Sequence, residues 1–230
     1  MKSLLVVLLC FAMNQAFAEE IVIAPKKTEV EEGSSAYARI NKENQFLINL
    51  TGAGPNATAS TGLIFGHFID RNSMFLVEAM TGTNTGNSLF SSSFYSSSIQ
   101  TSAKAQSIGV HFKQFVSNSF YYRFGVDYRN IAYKYSYTPS STPVETAEFN
   151  GDSVALNFQI GNQWQFEKFT LGCDWFGLSM PITSNTSSRT LNAAAQTDAS
   201  YYNRKLDDES DYYTKRTTYN FVRFYLGSSF

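Results

Sequence analysis

The stretch Val154–Phe166, VALNFQIGNQWQF, decides how this chain folds. Val154, Leu156, Phe158, Ile160, Trp164 and Phe166 share one parity, broken only by Asn162. Asn157, Gln159, Gln163 and Gln165 hold the other, together with Ala155 and Gly161. Successive side chains of an extended chain point to opposite sides, so this period of two predicts a strand with one apolar and one polar face. A helix would scatter the amides around its circumference.

The same alternation extends outward in both directions. Phe120, Tyr122, Phe124, Val126 and Tyr128 oppose Tyr121, Arg123, Gly125, Asp127 and Arg129. Ile108, Val110 and Phe112 oppose Gly109, His111 and Lys113, and Phe169, Leu171, Cys173 and Trp175 oppose Thr170, Gly172 and Asp174. Phe46, Ile48 and Leu50 alternate with Leu47, Asn49 and Thr51, and Phe75, Val77 and Ala79 with Leu76, Glu78 and Met80. Residues 60–69 are strand-like in composition with an ambiguous parity. Eight strands are predicted, at 45–54, 60–69, 73–83, 103–115, 119–137, 147–166, 169–181 and 217–230.

The connections set the topology. Asp70-Arg71-Asn72, Val116-Ser117-Asn118 and Glu167-Lys168 read as tight turns. They alternate with connections at 55–59, 84–102, 138–146 and 182–216, of which all but the first are long. Tight turns then share one end of the sheet and long loops the other, which is an up-and-down antiparallel barrel. The loops include Ser91–Ser98, SSSFYSSS, the Ser/Thr-rich stretch Ile182–Thr190 and the charged run Arg204–Glu209. These last segments carry no apolar period and read as solvated.

Bulky aromatics fill the apolar parity of nearly every strand, too much volume for a narrow interior. Trp164, Phe166 and Phe169 bracket one tight turn, and Phe112, Phe115, Phe120 and Tyr122 another. Such a ring suits a membrane interface. The strands also reach the ~9–11 residues that cross a bilayer at a tilt, and closure removes the unpaired edges that hydrocarbon penalises. The expected fold class is therefore all-β, an eight-stranded antiparallel up-and-down transmembrane barrel.

The chain opens on MKSLLVVLLCFAMNQAFAEE, with Lys2, an apolar Leu4–Phe11 and the A-x-A site Ala16-Phe17-Ala18. This predicts a secretory signal peptide over 1–18. Cys10 raises a lipoprotein signal as a rival, but Leu9 is not the small residue such a signal places before its Cys. Residues 19–44 are charged and poorly alternating, which predicts a periplasmic leader outside a 45–230 barrel. Within that leader Glu20–Pro25 resembles the short box by which large energised transporters contact the TonB protein. Those transporters need a far larger barrel.

Composition narrows the function classes. The 230 residues include 20 Phe, 14 Tyr and 2 Trp with 16% charged residues and a net charge of −1. Mean hydropathy is −0.22. Nothing there suggests nucleic-acid binding. Past the signal only Cys173 remains, so the mature monomer forms no internal disulfide. Two separated histidines and one cysteine make no metal set, and no cofactor is implied. Catalysis would need His67 or His111 beside a serine and a carboxylate, and neither histidine lies in a recognisable motif.

The inward parity carries Glu78, Lys113, Arg123, Asp127, Arg129, Asp174 and Arg223, with His111 beside them. An unpaired charge in a narrow interior costs several kcal/mol, on the order of the penalty for burying one ion. Asp127 is expected between Arg123 and Arg129, and Arg223 is expected to reach Asp174 on the neighbouring strand. The set reads either as a plug of paired side chains or as a narrow polar gate.

The pattern over 45–230 resembles the small outer-membrane barrels of Gram-negative bacteria, typified by the OmpA transmembrane domain and OmpX. The resemblance implies location in the bacterial outer membrane, tight turns facing the periplasm and long loops facing out. It implies outer-membrane lipids and lipopolysaccharide as surroundings, and a structural or surface-interaction role with a possible extracellular ligand. A small porin-like pore and a lipid A-modifying enzyme are the alternatives. Val222, Phe224, Leu226 and Phe230 share a parity in YNFVRFYLGSSF, residues 219–230, with Phe221 and Tyr225 on the other. This resembles the C-terminal signal read by the outer-membrane insertion machinery.

Overall fold

The computed structural model describes residues 34–53, 59–85, 99–138 and 143–230. The expected signal peptide, most of the leader and the Ser91–Ser98 loop lie outside the described residues. Eight antiparallel strands follow one another around a closed ring. They are β1 (Asn44–Ala53), β2 (Ala59–Phe68), β3 (Ser73–Thr85), β4 (Ile99–Phe115), β5 (Phe120–Tyr137), β6 (Glu145–Phe166), β7 (Phe169–Leu191) and β8 (Thr218–Ser229). β8 closes onto β1. Among the described residues two α-helices join them, α1 (Ser35–Arg39) before β1 and α2 (Ala199–Thr214) between β7 and β8, the latter preceded by a 3-10 turn at Ala195–Asp198.

The polarity of the barrel is inverted relative to a soluble protein. Val110 is 58% exposed on the outside, whereas Lys113 and Arg123 are each 1% exposed inside. Phe46, Ile48, Leu63, Phe65, Phe75 and Val77 continue the outer apolar belt. Only hydrocarbon makes such an exterior favourable, and the closed ladder leaves no edge to desolvate. The chain is a transmembrane barrel. In β2, Leu63, Phe65 and His67 face out, while Ile64, Gly66 and Phe68 face in.

The interior is layered. At the tight-turn end Leu47, Ile64, Phe68, Met74, Leu76, Phe115, Tyr121 and Tyr225 form an apolar core. The charged side chains lie next along the strands. At the far end Ala103, Ile131, Tyr133, Tyr135, Ala147 and Phe149 pack with Ala195, Tyr202 and Leu206 into a second core. β1 and β2 have 10 residues each, but β6 has 22 and β7 has 23. At ~3.3 Å per residue β6 is roughly 70 Å long, against the ~9–11 residues a bilayer requires.

Several sequence expectations are corrected. The stretch Ile182–Thr190 is not a loop: it extends β7 and pairs with β6, from Thr183 opposite Val154 to Leu191 opposite Ala147. Both faces of this extension are polar outside the membrane, so no period-two signal marks it. The charged run 204–209 is helical, because α2 buries Tyr202, Leu206, Ser210 and Thr214 at a spacing of four. Two of those four are hydroxylic, which hides the stripe from a hydrophobicity reading. Phe115 is not part of an interface girdle. It faces inward beneath the Arg39 guanidinium, 3.9 Å from the ring centre.

The described end of the leader, residues 34–43, packs against the tight-turn end of the barrel. Ser34 caps α1 by accepting from the Tyr37 N–H, and Arg39 donates to the carbonyls of Arg71 and Asn118 in two tight turns. Ser35 Oγ accepts from the Gln165 N–H. Phe221 is outward, 53% exposed, rather than inward. The cause is an irregularity at Val222, whose φ of 48 places two successive residues on the lipid face. On β7, Trp175 is the residue skipped between the Gly161–Asp174 and Ile160–Phe176 pairs.

Candidate functional site

The inward positions of β3, β5, β7 and β8 bring four charges together across the barrel. Glu78 accepts from Arg123 Nη1 and Arg223 Nη1, each at 2.8 Å. Asp174 accepts from Arg223 Nε at 2.7 Å, and Arg123 Nη2 lies 3.5 Å from the same carboxylate. Two carboxylates and two guanidiniums thus make a neutral quartet. Gln159 joins it, accepting from Arg123 and from Arg223. Tyr121 donates to Asp174, and Tyr225 donates to Tyr121 at 2.9 Å. Sequence reading did not single out Gln159, Tyr121 or Tyr225; their inward parity was the available signal.

Lys113 sits on the tight-turn side of the quartet. It donates to Gln163 at 2.8 Å and lies 4.0 Å from the Tyr121 ring centre and 5.0 Å from that of Tyr225. The amide and the π-faces solvate the ammonium without a carboxylate in contact.

A second group lies toward the long-loop end. His111 Nε2 is 3.0 Å from Asp127 Oδ1, and Arg129 Nη2 is 3.8 Å from Asp127 Oδ2. Arg129 also donates to Asn157 at 3.1 Å and to Ser179. Arg123 is not beside Asp127 as expected, because the register turns it toward Glu78 and Asp174. Gly109 stands opposite Asp127, and a Cβ there would overlap Asp127 Oδ1. The missing side chain is what lets His111 and Asp127 meet.

Above these groups lies a cavity of about 130 Å³, floored by Glu78, Arg223 and Gln159, flanked by Asp127 and Arg129, and bordered by Tyr213 of α2. Its space comes from the small inward residues Gly82, Ala103, Ala105 and Ser107. The volume suits a few water molecules at roughly 30 Å³ each. The upper core lies beyond the cavity. Tyr133 stacks on Phe149 at 5.3 Å, Tyr135 meets Tyr202 at 5.9 Å, and the Tyr202 hydroxyl donates to Glu145.

His67 is on the outer face, 3.1 Å from Asn44 Oδ1. Among the described residues no serine hydroxyl bonds to either histidine ring. At the seam, the Phe230 N–H donates to Asn44 O, and Phe230 O accepts from the N–H groups of Glu43 and Asn44. Phe224 and Val222 are exposed, Leu226 is half-buried, and the Phe230 ring is 60% exposed.

No family model matches the chain, and no curated protein does. Solved structures similar to this chain include two bacterial proteins. Ail, the attachment invasion locus protein of Yersinia pestis, is 8% identical over 82% of this chain and 99% of its own, with a TM-score of 0.49. A major outer membrane protein from Thermus thermophilus is 10% identical over 81% of this chain and 99% of its own, with a TM-score of 0.50. The fold of this chain is thus one found in an outer-membrane protein: eight antiparallel strands wound in order into a closed ring.

Proposed function

We propose that this chain is a closed outer-membrane anchor for a rigid external platform, acting by surface contact rather than by transport or catalysis. One observation carries the reading. β6 and β7 continue far past the apolar belt, and α2 packs into the top of the barrel through Tyr202 and Leu206, which are 3% and 0% exposed. Crossing a bilayer requires neither feature. The opposite face of α2 presents Arg204, Asp207, Asp208 and Asp211 to solvent, beside the hydroxyl-rich end of β7. The outer-membrane origin of the Thermus neighbour supports the same location here.

The test is adhesion of cells displaying the chain, against cells displaying a variant in which residues 192–216 are replaced by a short turn. Display is matched by labelling, and retention on immobilised extracellular-matrix and serum proteins is measured. Retention should fall with the trimmed variant; equal retention would count against the platform. The small-pore reading rests on the cavity above the quartet. Discrete conductance from the purified wild type in planar bilayers would favour it over a closed anchor.

A further inference from the structure

The cavity above the quartet has two unlike sides. β3 and β4 line it with Met80, Gly82, Ala103 and Ala105, whereas β5, β6 and β8 line it with Asp127, Arg129, Asn157, Gln159 and Asn220. Small residues make the space: Ser107 stands opposite Arg129 in the β4–β5 register, and Ala105 opposite Ile131. Ser60 and Thr218, the second residue of β2 and the first of β8, also border it, so the cavity reaches the rim of the barrel's short side. Its volume of about 130 Å³ equals about four waters at roughly 30 Å³ each, room for a small organic solute.

The polar side is under-used by the protein itself. Arg129 bonds to Asn157 and Ser179 through Nη2 alone, which leaves Nε and Nη1 without a partner among the described residues. His111 approaches Asp127 Oδ1, but Asp127 Oδ2 has only the Arg129 Nη2 at 3.8 Å, beyond hydrogen-bonding length. Gln159 commits its oxygen to Arg123 and Arg223, and its amide nitrogen to no described residue. In the quartet each carboxylate is met by two guanidiniums. Asp127 and Arg129 instead border the cavity as an open couple, one acceptor beside one two-pronged donor.

We propose that the cavity binds a small aliphatic α-amino acid, with its charged groups on Asp127 and Arg129 and its side chain against Ala103 and Ala105. The ligand carboxylate takes the Nε–Nη1 edge of Arg129, a planar fork matched to a carboxylate, and the ligand ammonium takes Asp127 Oδ2. Four charges then alternate as they do in the quartet below, and neither protein charge is stranded. A bare anion would meet the Asp127 carboxylate, and a bare cation the Arg129 guanidinium, so either alone is the poorer occupant. An apolar wall with a few convergent polar groups is also the usual make-up of a small-molecule site. The proposal is independent of what the platform contacts.

The test titrates the isotope-labelled full-length barrel, folded in detergent micelles, with L-alanine and follows the backbone amide signals of Ser107, Asn157 and Asn220. These should shift saturably. Propionate and ethylammonium, each with one charge on a similar frame, should bind at least about tenfold more weakly, the loss of one hydrogen bond to a charged group. Arg129→Gln and Asp127→Asn should each weaken alanine by a similar factor. Ala105→Leu fills the apolar side without touching either charge and should abolish the shifts, while Lys104→Gln, its neighbour on the outer face, should leave them unchanged. Each variant is first checked for heat-modifiable migration, so loss of the barrel itself is visible separately. Absence of a saturable shift with alanine, or wild-type affinity in Ala105→Leu, would overturn the proposal. Equal affinity for propionate or for ethylammonium would mark a plain anion or cation site and overturn the choice of a zwitterion.

Discussion

Glu78→Gln tests whether the buried quartet holds the barrel together. The substitution keeps the shape of the side chain but removes the charge that faces Arg123 and Arg223, each 2.8 Å away. Asp174 would then balance two guanidiniums alone, leaving one uncompensated positive charge in a site where Glu78 is 5% exposed. Removing one partner of a buried ion pair costs about 3–5 kcal/mol, most of it the penalty of stranding the remaining charge. Glu148→Gln is the control, since its pair with Lys134 has side chains 46% and 53% exposed. Exposed pairs contribute within about 1 kcal/mol. Urea unfolding in phospholipid vesicles, followed by tryptophan emission, reads both through Trp164 and Trp175. The quartet reasoning fails if Glu78→Gln loses no more than Glu148→Gln. It is tested further by Glu78→Gln combined with Arg223→Met, which restores neutrality and should recover part of the loss.

Three other outcomes are expected. Leu206→Ala removes a fully buried side chain at the α2 contact; a loss of at least about 2 kcal/mol would raise the undocked population about 30-fold. Protease cleavage within 192–217 should accelerate accordingly while the barrel keeps its heat-modifiable migration. Burial first, and Glu145 second, hold the Tyr202 phenol above its ordinary value. Its contribution to α2 docking is therefore complete below the unfolded value of about 10 and declines as pH rises toward the folded one. Tyr202→Phe should flatten that decline in protease sensitivity between neutral and alkaline pH. Deleting Phe230 removes three backbone hydrogen bonds at the β1–β8 seam along with an exposed ring, and should reduce membrane assembly of the barrel in cells. Normal insertion of the truncated chain would refute an assembly role for that residue.

The chain illustrates which physical contrasts a one-dimensional pattern transmits. Around Val154–Phe166 the two faces of a strand meet lipid and a polar lumen, so polarity alternates and the strand is legible. The same contrast marks Phe120–Tyr128, and the turns at 70–72, 116–118 and 167–168 fix the order of winding. Inward parity singled out Glu78, Lys113, Arg123, Asp127, Arg129, Asp174 and Arg223, with His111 beside them, but not which of them meet. Beyond the belt the contrast disappears. Ile182–Thr190 has water on both faces, and α2 docks on Tyr202 and Leu206 with Ser210 and Thr214 completing its stripe. Neither region carries a periodic apolar signal.

Strand number and antiparallel order were legible in the sequence alone, through local alternation between two solvents, strand-like composition at 60–69 and the spacing of short and long connections. Partner choice was decided only by the tertiary structure. Glu78 and Arg223 are 145 residues apart and meet across the lumen because ring closure and strand register bring β3 and β8 to one level. Arg123 is turned from Asp127 to Glu78 by that same register. The irregularity at Val222 reverses the face of Phe221, a change no alternation rule contains. Closing the ring is a global condition on all eight strands, and the contacts that give this barrel its interior exist only once that condition is met.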